Sequence, residues 1–438
     1  MLTDSVWRPG FHRSCSLVSS PVAVRTTVVR ILRVLTRLNL GGPARQVLAS
    51  DPLLVERGHV LRVLVGHPEP GEGDLFGELQ ARGIEVRRVH GLKRGISPLR
   101  DFFVRGRLRR EIEEFEPDLM HTHASKAGAL GRRALEKARG GEEVARVHTF
   151  HGHVLEGYFP DPISRRLQQL ERRLARVTDR IVAVSHSTSE DLLRLEIVRE
   201  NQLVVVPPGI ELRPLLGIDR RGGTAAKGGP LRELIGASES DVLIGVIGRL
   251  AEVKRPTLAV DVFAKLTDRF PSAHLVFIGD GAERGALERH IGGASANVRA
   301  RCHMIGSQPD PAAFLTELDI VLATSRSEGM PVALIEAAAA GLPVVATAVG
   351  GVPELVAHER TGFAASDETE LIYGLGQLLE RPEERLAMGQ RARLRVSHRH
   401  SAKALTDRLE AVYGVALDLR RGQVQGNSNS GAPRQLLP

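Results

Sequence analysis

Two glutamates, Glu328 and Glu336, bracket the stretch SEGMPVALIEAAAAGLPVVAT at residues 327–347, which otherwise reads as loop, buried helix and buried strand. Pro331 suits the first turn of a helix, Ala337 to Ala340 propagate it, and Gly341 stops it. The start of such a helix presents unpaired N–H groups and the positive end of its dipole, which favours a bound pyrophosphate. Glu336, one and a half turns in, is an acceptor-only group suited to ribose hydroxyls; Glu328, on the loop, can accept from the hydroxyls of a sugar. Either glutamate by itself would serve equally well as a helix cap or dipole partner.

Other strand ends also finish in small or charged residues. GVIGRLAEVKRP carries Arg249 and Lys254, a guanidinium and an ammonium able to clamp a phosphate, or simply two solvated loop cations. Gly279 and Gly281 in HLVFIGDGAER, and Gly41 and Gly42 in LNLGGPARQV, let backbone approach a ligand closely. Histidines gather in MHTHASKAG (His121, His123) and VHTFHGHVLEGYF (His148, His151, His153). They have no carboxylate or third ligand in fixed register, so a hydrogen bond from a strand-end histidine to substrate is the better reading than a metal site. Lys227 is followed by Gly228 and no strand leads in, which excludes a P-loop.

The elements that must position these residues alternate along the chain. Strand-like runs at 30–35, 60–65, 119–121, 146–149, 180–184 and 203–206 are separated by helical segments such as 44–57, 99–115, 163–176 and 188–195. GIDRRGGTAAKGGP, residues 217–230, breaks the pattern as a linker or exposed loop. Alternation resumes with strands at 242–247, 274–278, 320–323 and 342–346. The expectation is an α/β chain of two Rossmann-like, doubly wound domains, at 29–213 and 241–405, joined by a linker at 214–240. Their cleft would lie between the carboxyl ends of the strands. Residues 1–28 are expected to be a flexible extension, and 406–438 a helix followed by a disordered tail from about 421.

Composition is that of a globular protein: 438 residues, 42% hydrophobic and 26% charged. Two cysteines far apart exclude a disulfide framework, and a reducing cytoplasm is the default location. No apolar run reaches the length of about 18 residues that spans a bilayer. The net charge of +8 is concentrated at one end, with 34 basic against 26 acidic residues up to residue 215 and 26 of each beyond. A basic first half suits anionic partners such as phospholipid headgroups, lipid phosphates or nucleic acid, and equally reads as a solvated basic face. Nucleic acid is not expected, since only 4% of residues are aromatic and no recognition motif is present.

Taken together, the motifs resemble glycosyltransferase family 4, retaining enzymes of GT-B architecture. SEGMPVALIEAAAAGLPVVATAVGGVPELV looks like that family's E-x7-E region. GVIGRLAEVKRPTLAV, HLVFIGDGAE, VVVPPGIE, TDRIVAVSHSTSEDLL, THASKAGALGR and LGGPARQV fall in its order, so the resemblance spans roughly 29–405. It implies that Glu336 binds the nucleotide ribose and that Glu328 binds the donor sugar, with backbone N–H groups of Gly329, Met330 and Val332 helping. It further implies that Arg249 and Lys254 neutralise the departing diphosphate, that Gly41 and Gly42 approach the distal phosphate, and that His151 touches the sugar. Met330 stands where the family commonly has an aromatic residue.

The implied reaction moves a sugar from a nucleotide donor, UDP-sugar first and GDP-mannose next, to a lipid-linked or saccharide acceptor, with no metal required. The implied setting is cell-envelope or exopolysaccharide synthesis in the cytoplasm, peripheral to the inner face of the membrane, with LKRGISPLRDFFVRGRLRR at 92–110 resting on anionic lipid. A UDP-sugar 2-epimerase of the same architecture would open on a G-T-R-P-E-like loop, where this chain has LTRLNLGGPAR.

Overall fold

A computed structural model describes residues 28–69, 72–152, 155–156, 160–218, 229–308 and 311–429. Residues 1–27 of the extension expected at 1–28, most of the Gly-rich break, His153 and the last residues of the tail lie outside them. Among the described residues the strands form two parallel sheets. The first has seven strands: β1 Arg30–Leu35, β2 Val60–Val65, β3 Glu85–Arg88, β4 Leu119–His123, β5 Ala145–Phe150, β6 Arg180–Ala183 and β7 Leu203–Val205, in the order β3-β2-β1-β4-β5-β6-β7. The second has six: β8 Val242–Ile247, β9 Ala273–Ile278, β10 Cys302–Gly306, β11 Ile320–Ala323, β12 Val344–Thr347 and β13 Gly362–Ala365, in the order β10-β9-β8-β11-β12-β13. Both orders reverse next to the first strand of the sheet. Each sheet therefore has a switch point, between β1 and β4 and between β8 and β11, where ligands of open α/β sheets bind.

Helices cover both sides of the sheets, so the central strands are buried on both faces, β4 and β5 throughout even though they carry His and Thr. β3, β10 and β13 were not expected from sequence. All three are edge strands, and their short sequences EVRR, CHMIG and GFAA lack the long apolar run of a strand with two neighbours.

The tail reading is corrected. Helix Ala402–Asn429 continues through residue 421 and beyond, and it packs on the first domain rather than the second. Leu405, Leu409, Val412, Tyr413 and Ala416 enter a core with Ile31, Leu54, Leu119 and Val147. Arg420 pairs with Asp179 at 2.7 Å, and Arg57 bonds to Glu410 and Asp407. Burial of one helical face and these ion pairs anchor the helix up to Arg420, and the helix runs on from there to Asn429. The two crossings between domains lie against each other: Ile210 bridges Ser401, and the Pro208 carbonyl accepts from His400 Nδ1 at 2.7 Å. Helix Arg213–Leu216 opens the expected linker and Pro230–Ile235 lies within it, with Leu231 wholly buried.

Candidate functional site

The carboxyl ends of the two sheets face each other, and the loops leaving them touch. Helix Gly42–Glu56 follows β1 with Gly41 as its extended N-cap; a Cβ on Gly42 would lie 2.8 Å from Val332 Cγ2 of the second domain. Glycine here is what lets the two domains close on one another. A Cβ on Gly329 would meet the His151 carbonyl oxygen at 2.5 Å. The Ser187 amide donates to Glu354 Oε1 at 3.1 Å, a further bond across the cleft.

Charges are paired across and within this cleft. Arg45 Nε lies 3.3 Å from Glu336 Oε1, joining the first domain to the buried carboxylate expected to hold ribose. Lys254 Nζ lies 2.5 Å from Glu328 Oε1, and Ser325 Oγ donates to the same oxygen at 2.7 Å. Arg249, on the same loop as Lys254, reaches across to Glu72 Oε1 at 3.9 Å. Glu72 is held in turn by Arg37 Nε at 3.0 Å. The loop is pinned from below: Thr324 Oγ1 donates to the carbonyls of Lys254 and Arg255, and the Arg326 amide donates to the Val253 carbonyl.

Helix Val332–Ala339 begins at the switch point after β11. Pro331 is its N-cap rather than a first-turn residue, and no side chain caps it. Its first amides and the positive end of its dipole are thus directed at the cleft without a protein partner for a side-chain cap. Gly341, at φ +77°, ends it as expected. Met330 and Val332 are buried, and a Cβ on Gly351 would lie 2.9 Å from Met330 Cε.

Gly279 and Gly281 have a structural reason of their own. A Cβ on Gly279 would fall 1.9 Å from the Gly248 carbonyl oxygen, and one on Gly281 would fall 2.2 Å from that of Leu250. These glycines let the loop carrying Arg249 settle onto its neighbour.

The histidines separate into core and cleft. His121 is wholly buried, bonded to Thr149 Oγ1 (2.7 Å) and Tyr413 Oη (2.8 Å), and His148 is equally buried on Thr122 Oγ1 (2.8 Å). Neither can reach substrate, which corrects the reading of these two as strand-end ligands. Of the four described histidines in these motifs, His151 is the one partly exposed at the cleft, with His123 buried behind it at 2.9 Å. Burial drives His121, His123 and His148 well below the usual histidine range and takes His151 down to about 3. Among the described residues no group of three His, Cys, Asp or Glu side chains is arranged to hold a metal ion.

Sequence reasoning missed Arg37, Arg45 and Glu72. Arg37 and Arg45 flank the Gly41-Gly42 pair closely in LTRLNLGGPAR, and this proximity to a glycine turn was the available signal.

Two facing Rossmann-like sheets with charged switch-point loops define the GT-B architecture. Solved structures share it: the Anabaena protein Alr3699/HepE in complex with UDP and glucose superposes with a TM-score of 0.72 over 88% of this chain and 99% of that one, at 20% identity. WaaG, a glycosyltransferase involved in lipopolysaccharide biosynthesis, does so at 0.64 and 16%, over 88% of this chain and 100% of that one. Residues 40–213 match the family described as Glycosyltransferase Family 4, and residues 231–395 match Glycosyl transferases group 1.

The chain belongs to glycosyltransferase family 4 and is a glycosyltransferase. It is 28% identical to N-acetyl-alpha-D-glucosaminyl L-malate synthase of Bacillus anthracis over 85% of this chain and 93% of that protein. It is 27% identical to UDP-Gal:alpha-D-GlcNAc-diphosphoundecaprenol alpha-1,3-galactosyltransferase of Escherichia coli over 63% and 69%.

Proposed function

We propose that this chain transfers a hexosyl group from a UDP-sugar, with retention, to a lipid-linked or saccharide acceptor seated on the first domain. The observation that carries the reading is the grouping at one switch point of an uncapped helix N-terminus, the buried Glu336 carboxylate and the Lys254–Glu328 pair. In this reading the diphosphate lies on the helix N-terminus between Arg249 and Lys254. Glu336 accepts from the ribose hydroxyls, and Glu328 accepts from the sugar. As the bond from the anomeric carbon to the diphosphate oxygen breaks, charge grows on that oxygen. Preorganised cations and amides stabilise it, and the acceptor hydroxyl enters on the face the diphosphate leaves. Arg45 and Glu72 hold the charged groups until the donor replaces them. That the structural neighbour was solved with UDP supports the choice of base.

Incubation with a panel of UDP- and GDP-hexoses, reading release of the nucleoside diphosphate, tests this directly. Release from one UDP-hexose is the expected result. Release from GDP-mannose alone would transfer the reading to a mannosyltransferase, and release from none would overturn it.

The acceptor side carries a surface suited to a bilayer at the inner face of the membrane, in a cytoplasmic protein. Helix Pro98–Phe115 buries Val104, Leu108, Ile112 and Phe115, yet leaves Leu99, Phe102 and Phe103 exposed beside Ile96, with Lys93, Arg107 and Arg110 around them. Aromatic rings flanked by basic side chains fit the headgroup region of an anionic leaflet. Phe102→Asp/Phe103→Asp is expected to abolish co-sedimentation with anionic vesicles while leaving kcat on a water-soluble acceptor within about twofold. Vesicle binding that survives the substitutions, or that shows no dependence on anionic lipid, would remove this surface from the account.

A further inference from the structure

The hydrogen-bond chain behind His151 has a direction that can be worked out from its ends. Arg33 on β1 is buried against Asp51, with its Nε 2.9 Å from Asp51 Oδ1, and Ser50 Oγ accepts from Arg33 Nη2 at 3.2 Å. Ser50 Oγ itself donates to Asp51 Oδ1 at 3.0 Å. Arg33 Nη1 lies 3.2 Å from His123 Nε2, and His123 Nδ1 lies 2.9 Å from His151 Nε2.

A guanidinium can only donate, so His123 Nε2 must accept. A neutral imidazole carries one N–H; that of His123 is therefore on Nδ1 and donates to His151. His151 Nε2 is then an acceptor, and the single proton of His151 sits on Nδ1. The rings are stacked, 5.2 Å apart at 22°, so neither can turn over without losing the other. Burial, which holds both histidines neutral, agrees with this assignment. His121 packs on His123 at 4.1 Å but spends both nitrogens on Thr149 and Tyr413, and so takes no part in the chain. A cavity of about 10 Å³ lined by Arg33, Gln46, Ser50, His121 and His123 runs alongside it.

We propose that Arg33 and His123 are positioning residues that fix His151 in the Nδ1–H tautomer, making it a one-way hydrogen-bond donor to an oxygen of the donor sugar. This rests on the reading above that the cleft takes a nucleotide sugar. The Gln46 carboxamide stands at that position, its Nε2 3.4 Å from His151 Nδ1 and 3.4 Å from the Gly42 carbonyl oxygen; because an amide nitrogen only donates, the Nδ1–H tautomer requires this carboxamide turned so that its Oε1 accepts from His151. A sugar hydroxyl displaces it. With its Nε2 lone pair spent on His123, His151 is not free to act as a general base, and its contribution is orientation of the sugar.

The test is a long-range ¹H–¹⁵N correlation on full-length protein labelled at histidine, in which protonated and bare ring nitrogens resonate far apart. His123 and His151 are assigned by their absence in single substitutions. Wild type is expected to show both rings as Nδ1–H at neutral pH. His123→Gln, whose amide can still donate to His151, is expected to keep that tautomer and most of kcat/KM for the donor. His123→Phe is expected to mix the tautomers and lower kcat/KM about tenfold, with UDP affinity unchanged. An Nε2–H tautomer at His151 in wild type overturns the proposal, as do Gln and Phe variants that behave identically. UDP that fails to bind a wild-type sample showing the assigned tautomers would sink the donor reading and leave the chain of bonds standing.

Discussion

Lys254→Ala is expected to lower kcat by about 10²–10³, the loss found when one donor to a developing oxyanion is removed, on the order of 2.7–4 kcal/mol of transition-state stabilisation. The charge that must be stabilised grows on the diphosphate only as the glycosidic bond breaks, so the effect falls on kcat more than on donor KM. Fold loss is a weak competing explanation. The Lys254 side chain is about a third exposed, and its loop is held at its own carbonyls by the Thr324 hydroxyl and the Arg326 amide. Lys254→Arg keeps a cation near Glu328 and should recover part of the rate, while Arg249→Ala should be the milder lesion, since Arg249 is more exposed and only 3.9 Å from its partner. Steady-state kinetics with the donor identified by the panel decides it. A Lys254→Ala enzyme within threefold of wild type would contradict the electrostatic account.

Acid is expected to destabilise this protein through its buried histidines, beginning below about pH 6.5. His121, His123, His148 and His151 sit neutral in or beside the first core, and His400, at the domain crossing, is taken down to about 4 by burial. The sign follows from which state holds more protons. Between pH 6.5 and the depressed native values the unfolded chain protonates these rings and the folded chain does not, so stability falls as pH falls through that window. Each ring contributes at most about 1.4 kcal/mol per pH unit. Asp51 opposes this, because burial raises it to about 6 and the folded state holds its proton first. One aspartate against this larger set of histidines leaves a net loss of stability on acidification, read as a fall in Tm. Thermal unfolding followed from pH 7.5 to 4.5 should show that decline, and His400→Gln should make it shallower. A Tm that is flat or rises on acidification would show that the rings are not held neutral.

The parts legible in the sequence were those set by local chemistry. Central strands of a parallel sheet must be apolar on both faces, so RILRVL, VLRVLV and VLIGVI could be read directly, whereas the edge strands EVRR, CHMIG and GFAA could not. Glu328 and Glu336 were visible from their place around a loop and helix start, and Gly41-Gly42 from a strand-to-helix turn. What stayed hidden was set by distant residues. Arg45 meets Glu336, Glu72 meets Arg249, and Tyr413 meets His121 only once the two sheets face each other and the last helix crosses back. The histidine motifs misled for a related reason. HTH alternates side chains on a strand, but which of them lie under other layers depends on packing from β5 and helix Ala402–Asn429.

Calorimetric titration of UDP, GDP and ADP into wild type and Glu336→Ala tests the central claim most directly. UDP is expected to bind wild type, and the substitution to weaken it about ten- to a hundredfold, the worth of hydrogen bonds to a charged carboxylate. Nucleotide binding that is indifferent to Glu336, or absent from the wild-type protein, would contradict the assignment of this cleft as the sugar-nucleotide site.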